Sequence, residues 1–375
     1  MYVLISIVKL IMDKHTLNLK HSKWFLIFWF ISLLIMLTGW FTGLLLGYSV
    51  DAGPRDALAF LFIFILFFLF LSMPNLKERF NLLVICFLRV TMFYMLILFA
   101  ATFFTDNLFG FSLYYADRLS GLSQNPNQFA LLVLPLPFML IYLVKVNKHL
   151  SRNEILLIIL CFFIVIRLGH LSRSDGLIVA WYFSLVITLV YFFVKYIVLN
   201  PSLKRYVAIL FLFSISTLGF VFYINEIELI INESIDKILH EGNQSQVRFT
   251  LWRNGIEAIN LSPLFGLGPG AFAGLTGPLG GAEAHNTFID WGTSTGYIGL
   301  ILIILALSIV LIKLLKSKQI LLFNMLIAIT IFSITHYVFR HPVFWFFILF
   351  IVISSVIKRG DNSAMSSGIS NHSSI

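Results

Sequence analysis

Four stretches of the chain carry side chains able to do chemistry. Arg118 opens the run Arg-Leu-Ser-Gly-Leu-Ser-Gln-Asn-Pro-Asn, which ends at Asn127. Arg173 stands in the turn His170-Leu-Ser-Arg-Ser-Asp-Gly176, and Arg248 lies one helical turn before Trp252. His285-Asn286 directly precedes an apolar stretch and follows a glycine-rich segment, Pro263-Leu-Phe-Gly-Leu-Gly-Pro-Gly270. A guanidinium is a planar fork that matches phosphate oxygens in pairs, so Arg118, Arg173 and Arg248 converging would hold a diphosphate. When a diphosphate leaves, negative charge develops on it, and fixed guanidinium groups stabilise that charge without a metal. A neutral imidazole such as His285 can take a proton, as a general base must. The external loops offer no Asp-x-Asp pair to hold a divalent cation; the nearest is Glu226-x-Glu228. The expectation is therefore a site with no metal and no cofactor.

Each group also has a plainer explanation. Asn125 and Pro126 suit the cap and first position of a helix, which by itself accounts for the asparagines around Asn127. Arg173 has Asp175 two residues away, enough for a local salt bridge. A loop arginine such as Arg248 is usually solvated, and a lone histidine is more often structural than catalytic. The glycines relieve steric limits wherever backbone turns or closely approaches something.

These residues must be positioned by a chain that is 59% hydrophobic and only 11% charged over 375 residues, against about 25% charged in ordinary soluble domains. Soluble enzymes, disordered chains and disulfide scaffolds are excluded; Cys86 and Cys161 both lie inside apolar runs. A bilayer-spanning helix needs about 20 mostly apolar residues, and ten such segments are read at 24–47, 57–73, 80–103, 126–144, 154–169, 176–198, 206–224, 294–312, 320–339 and 342–357. The fold class is thus an all-α polytopic membrane protein. Most lysines and arginines fall in the loops of one side when the N-terminus is placed in the cytoplasm, so the net charge of +9 is a topology signal rather than a nucleic-acid footprint.

The division that follows is a cytoplasmic or interfacial N-terminus (1–23), seven spans (24–224), one long external loop carrying the His285 motif (225–293), three further spans (294–357) and a disordered cytoplasmic tail (358–375). Within the loop, Phe249, Trp252, Ile256 and Ile259 recur as one apolar face of a helix. No internal repeat is visible, which weakens a transporter reading. All four chemical groups fall on the external side.

The succession Arg118…Asn125-Pro126-Asn127, Ser172-Arg173, Arg248…Trp252, Pro263-Leu264-x-Gly266-x-Gly268 and His285-Asn286, then Gly296 and Gly299, resembles the bacterial O-antigen polymerase and O-antigen ligase superfamily over residues 110–300. The resemblance implies a C-type (GT-C-like) membrane glycosyltransferase of the inner membrane. Its glycan donor would be linked to undecaprenyl diphosphate on the periplasmic face, and its acceptor would be another lipid-linked repeat unit (polymerase) or the lipid A core (ligase). His285 would be the base and Arg118, Arg173 and Arg248 the diphosphate binders, supported by Asn286, Asn127 and Trp252. Lipid-linked oligosaccharides, membrane lipids and a chain-length regulator protein would be its partners. The Phe- and Gly-rich chain leans toward a polymerase. A flippase for lipid-linked glycans is the alternative of another class; it would need charges distributed through the spans, where only Arg89, Arg167 and His336 qualify.

Overall fold

The computed structural model describes residues 23–48, 53–71, 76–147, 150–198, 202, 207, 214, 242–279 and 281–369. In chain order these form helices α1 (Lys23–Leu45), α2 (Gly53–Leu71) and α3 (Leu76–Ala101), two short hairpins, then α4 (Pro126–Val133), α5 (Leu136–Val146), α6 (Arg152–Leu171), α7 (Asp175–Phe193, with a π turn after it), α8 (Gly242–Leu261), α9 (Thr287–Lys316), α10 (Ile320–Thr335) and α11 (Pro342–Ile369). Seven helical segments are long and apolar enough to cross a membrane, and Ile320–Thr335 and Pro342–Ser355 are apolar but shorter. The protein is a polytopic helical membrane protein. Of the ten segments expected, 206–224 lies outside the described residues except for the single positions 207 and 214; 1–22 and 225–241 also lie outside.

Several boundaries differ from expectation, three of them for a local reason. The ninth segment stops at Thr335, not 339, because His336 is extended (φ −145°, ψ 149°) and begins a loop. The eighth begins at Thr287, seven residues early, because Asn286 caps it by accepting from the Phe288 and Ile289 N–H groups. α11 continues to Ile369, past Gly360 where composition predicts a disordered tail; adding residues to an existing helix needs no new nucleus. The external loop 104–125 is also not purely irregular. Strands β1 (Asn107–Leu108) and β2 (Phe111–Ser112), then β3 (Tyr114–Tyr115) and β4 (Arg118–Leu119), form two antiparallel hairpins. Their two-residue turns have positive φ at Phe109, Gly110, Ala116 and Asp117, the backbone that matches strand twist in tight hairpins.

Backbone groups inside a bilayer need partners within the protein, and two broken helices show how that is met. α4 and α5 are one span interrupted at Pro135, and the free Leu134 carbonyl accepts from Trp181 Nε1 at 2.9 Å. α9 kinks at Gly296 (φ 64°, ψ −169°). There the glycine-rich segment supplies what the kink releases: Leu267 and Gly268 N–H donate to the Thr293 and Ser294 carbonyls at 2.8 and 3.1 Å, and Tyr297 N–H donates to Pro263 O at 2.7 Å. A Cβ on Gly268 (φ 86°) would stand 2.6 Å from Trp40 Cα on α1. These glycines therefore admit backbone to backbone.

The core is aromatic. Trp29 of α1 and Trp345 of α11 meet edge to face with centroids 4.5 Å apart, and Trp291 of α9 packs on Phe60 and Phe339, geometries that add to simple burial. Large apolar side chains such as Phe62, Phe93, Phe163 and Leu189 remain exposed on the outer helix faces, as expected where the solvent is lipid.

Candidate functional site

His285 is held in an uncommon backbone conformation by its neighbours. Its φ is 51°, a region that costs a non-glycine residue energy and persists where surroundings enforce it. Ala284, just before it, is fixed from both sides: its N–H donates to Asp290 Oδ1 at 2.8 Å and its carbonyl accepts from Trp252 Nε1 at 3.0 Å. Asn286, just after it, is occupied as the cap of α9 at 3.0 and 3.3 Å. Ala284 also packs with Leu251 and Ala273 in a small second core under the loop. The His285 side chain itself is exposed. Trp252 and Asn286 thus serve His285 by fixing its backbone.

The loop helix α8 exists as expected, but its buried face is rotated. Leu251, Ala258 and Ile259 are buried, whereas Phe249 is 67% and Ile256 49% exposed. Gly255 faces Ile289 and Ile259 faces Gly292 at the crossing with α9. Small residues at the crossing decide which face docks, and apolar periodicity does not register them.

The arginines converge without being equivalent. Arg118, half-buried, donates from Nε to the Ser172 carbonyl at 3.1 Å and from Nη2 to Asn127 Oδ1 at 3.0 Å. Burial lowers its pKa from the ordinary value; the Asp175 carboxylate opposes that, while the cations of Arg173 and Arg248 add to it. The four groups therefore share one electrostatic field. Arg118 clamps the turn that presents Arg173, whose φ is 47° and whose side chain is exposed. Among the described residues, Arg173 and Asp175 form no ion pair. Arg248 is exposed on α8, and its neighbour Arg253 is turned to Glu257 at 3.9 Å. Asn125 caps α4 by accepting from Gln128 N–H at 2.9 Å, the plainer of its two readings.

A cavity of about 90 Å³ opens beside His285, with Asn125, Asn127, Gln128, Glu283, His336, Arg340 and His341 in its walls. The last four of these were not singled out as site residues. His336 is the nearest to a sequence signal, as a titratable group beside an apolar run, and Arg340-His341-Pro342 reads only as the short link between two spans. Thr287 binds the His336 carbonyl and receives the Val338 N–H at 3.0 Å, tying this link to the start of α9. Gly176 abuts the His336 ring; a Cβ there would lie 3.1 Å from Nε2. Burial lowers the His336 pKa to about 3, with Arg248, His285 and Arg118 adding to the effect. Burial, then Arg340, lowers His341 to about 4. Arg340 pairs with Glu283, lies 3.9 Å from the buried Asp56 of α2 and sits 5.4 Å over the Tyr337 ring.

Residues 155–304 match the family model described as O-antigen ligase, a stretch that contains Arg173, Arg248, Trp252, His285 and Asn286 but neither Arg118 nor Arg340. This region is similar to that family, and the apolar helices mark the chain as a membrane protein. No curated protein matches the chain.

Proposed function

We propose that the protein is an O-antigen polymerase of the bacterial inner membrane, with its site on the periplasmic face and both termini in the cytoplasm. It moves a glycan from undecaprenyl diphosphate to the sugar end of a second lipid-linked repeat unit. The single observation that carries this reading is His285, fixed in a left-handed backbone conformation beside a cavity whose buried His336 feels the charges of both His285 and the arginines Arg248 and Arg118. The acceptor hydroxyl gives its proton to His285 as its oxygen attacks the anomeric carbon; the bond to the diphosphate breaks and its electron pair leaves with the phosphate. Exposed Arg173 and Arg248 stabilise the departing charge, and Arg118 holds Arg173 in place. Guanidinium groups can perform that task alone, so activity should persist in a chelator. A strict requirement for added metal would overturn this mechanism.

The ligase reading shares the same family match and the same site. In the producing bacterium, deletion leaving lipid A core with a single repeat unit identifies a polymerase; deletion leaving the core without any repeat identifies a ligase. Loss of lipid-linked units from the periplasmic face would instead favour a flippase.

A further inference from the structure

The walls around His285 differ in chemistry from the arginine side. Arg173 and Arg248 do not line the cavity. Its one guanidinium, Arg340, is committed to Glu283 and Asp56. Its two other imidazoles, His336 and His341, are neutral at pH 7, because burial holds both well below the ordinary histidine range. What remains is a carboxylate, side-chain amides and neutral rings. A carboxylate repels a phosphate, whereas it accepts strong hydrogen bonds from hydroxyl groups. Amides and neutral imidazoles donate and accept toward the same partners.

We propose that this cavity is the acceptor-sugar subsite and that Glu283 binds hydroxyl groups of the incoming sugar, next to the hydroxyl that His285 deprotonates. The inference rests on the transferase reading above. Glu283 is suited to the role by its setting. Arg340 engages Oε1, while Oε2 takes part in no ion pair among the described residues. Arg340 itself lies 3.9 Å from the buried Asp56 of α2, which places the carboxylate's partner beside the transmembrane core. Glu283 precedes His285 by two residues, which couples the position of the bound sugar to that of the base. Gln128, on the first turn of α4, lines the same cavity.

The test uses the full-length protein in nanodiscs with an undecaprenyl-diphosphate-linked donor. The acceptor is an octyl glycoside of the repeat-unit oligosaccharide, which lacks a diphosphate and can act only as acceptor. Glu283→Gln and Gln128→Ala should each raise the acceptor KM about tenfold, as expected when a site built to hydrogen-bond a hydroxyl loses a partner, with the donor KM changed less than about twofold. An unchanged acceptor KM in both variants, or a donor KM rising in step, overturns the subsite. If Glu283→Gln does not yield a folded protein, Gln128→Ala decides alone. Wild-type protein forming no product would defeat the transferase reading itself; product formation with unmoved acceptor KM values would defeat only the subsite.

Discussion

Arg173 and His285 occupy matching places in two regions of the molecule, and they are held differently. Each has positive φ and an exposed side chain, and each lies at most two residues before an apolar helix. At the His285 end, the first turn of α9 is closed: Asn286 takes the Phe288 and Ile289 N–H groups, and Ala284 is fixed by Trp252 and Asp290. At the Arg173 end, Ser174 makes no side-chain cap bond to α7 and its buried Oγ has no partner, although Arg118 fixes the Ser172 carbonyl just before it. The first-turn N–H groups of a helix favour an anion when nothing caps them. The contrast fits the two proposed tasks. A base must be rigid, and the donors around it are occupied. A site for developing phosphate charge must keep donors in reserve.

The largest expected effect tests the rigid end. His285→Ala should reduce transfer by at least about a thousandfold, within the range for losing a general base, while purified protein keeps its thermal unfolding midpoint. Retained activity would remove His285 as base and dissolve the contrast. At the open end, Arg173→Lys should lower kcat about a hundredfold, because an ammonium lacks the planar fork; full activity in this variant would reduce Arg173 to a generic positive charge.

A pH series sharpens the electrostatic half of the comparison. His336 is depressed in the folded state from 6.5 to about 3, so the unfolded chain binds the extra proton between those values. Its contribution is complete above about pH 6.5 and declines as pH falls toward 3. At pH 5 the loss should be on the order of 2 kcal/mol, read from thermal unfolding in detergent, and His336→Asn should flatten that decline. A slope identical to wild type would show that His336 is not buried as described. The smallest effect separates the two helix starts directly. Asn286→Ala should cost about 1 kcal/mol through loss of the cap, and Ser174→Ala much less; equal losses would show that the two starts are capped alike.

Much of the scaffold was legible because the bilayer imposes simple rules. Length and hydropathy located the described membrane helices, and the Asn125-Pro126 start is an ordinary cap. The glycine-rich segment was legible as a place of close approach, though what approaches it, the kinked backbone of α9 and the α1 helix, was not. The rotation of α8 escaped because small residues at a crossing, rather than apolar spacing, chose the buried face. Arg118 and Arg173 were recognised as a set, but that one clamps the other's turn depends on a hydrogen bond between loops 54 residues apart.

Sequence alone determined the solvent, the helices and the residue types at the site, because burial preference and capping act over a few neighbouring positions. Tertiary structure alone decided which donors are occupied and which are free. Arg340 meets Glu283 and Asp56 only when three distant segments pack together, and the proposed acceptor subsite beside His285 rests on that packing. Partner choice among charged side chains is a property of the assembled fold.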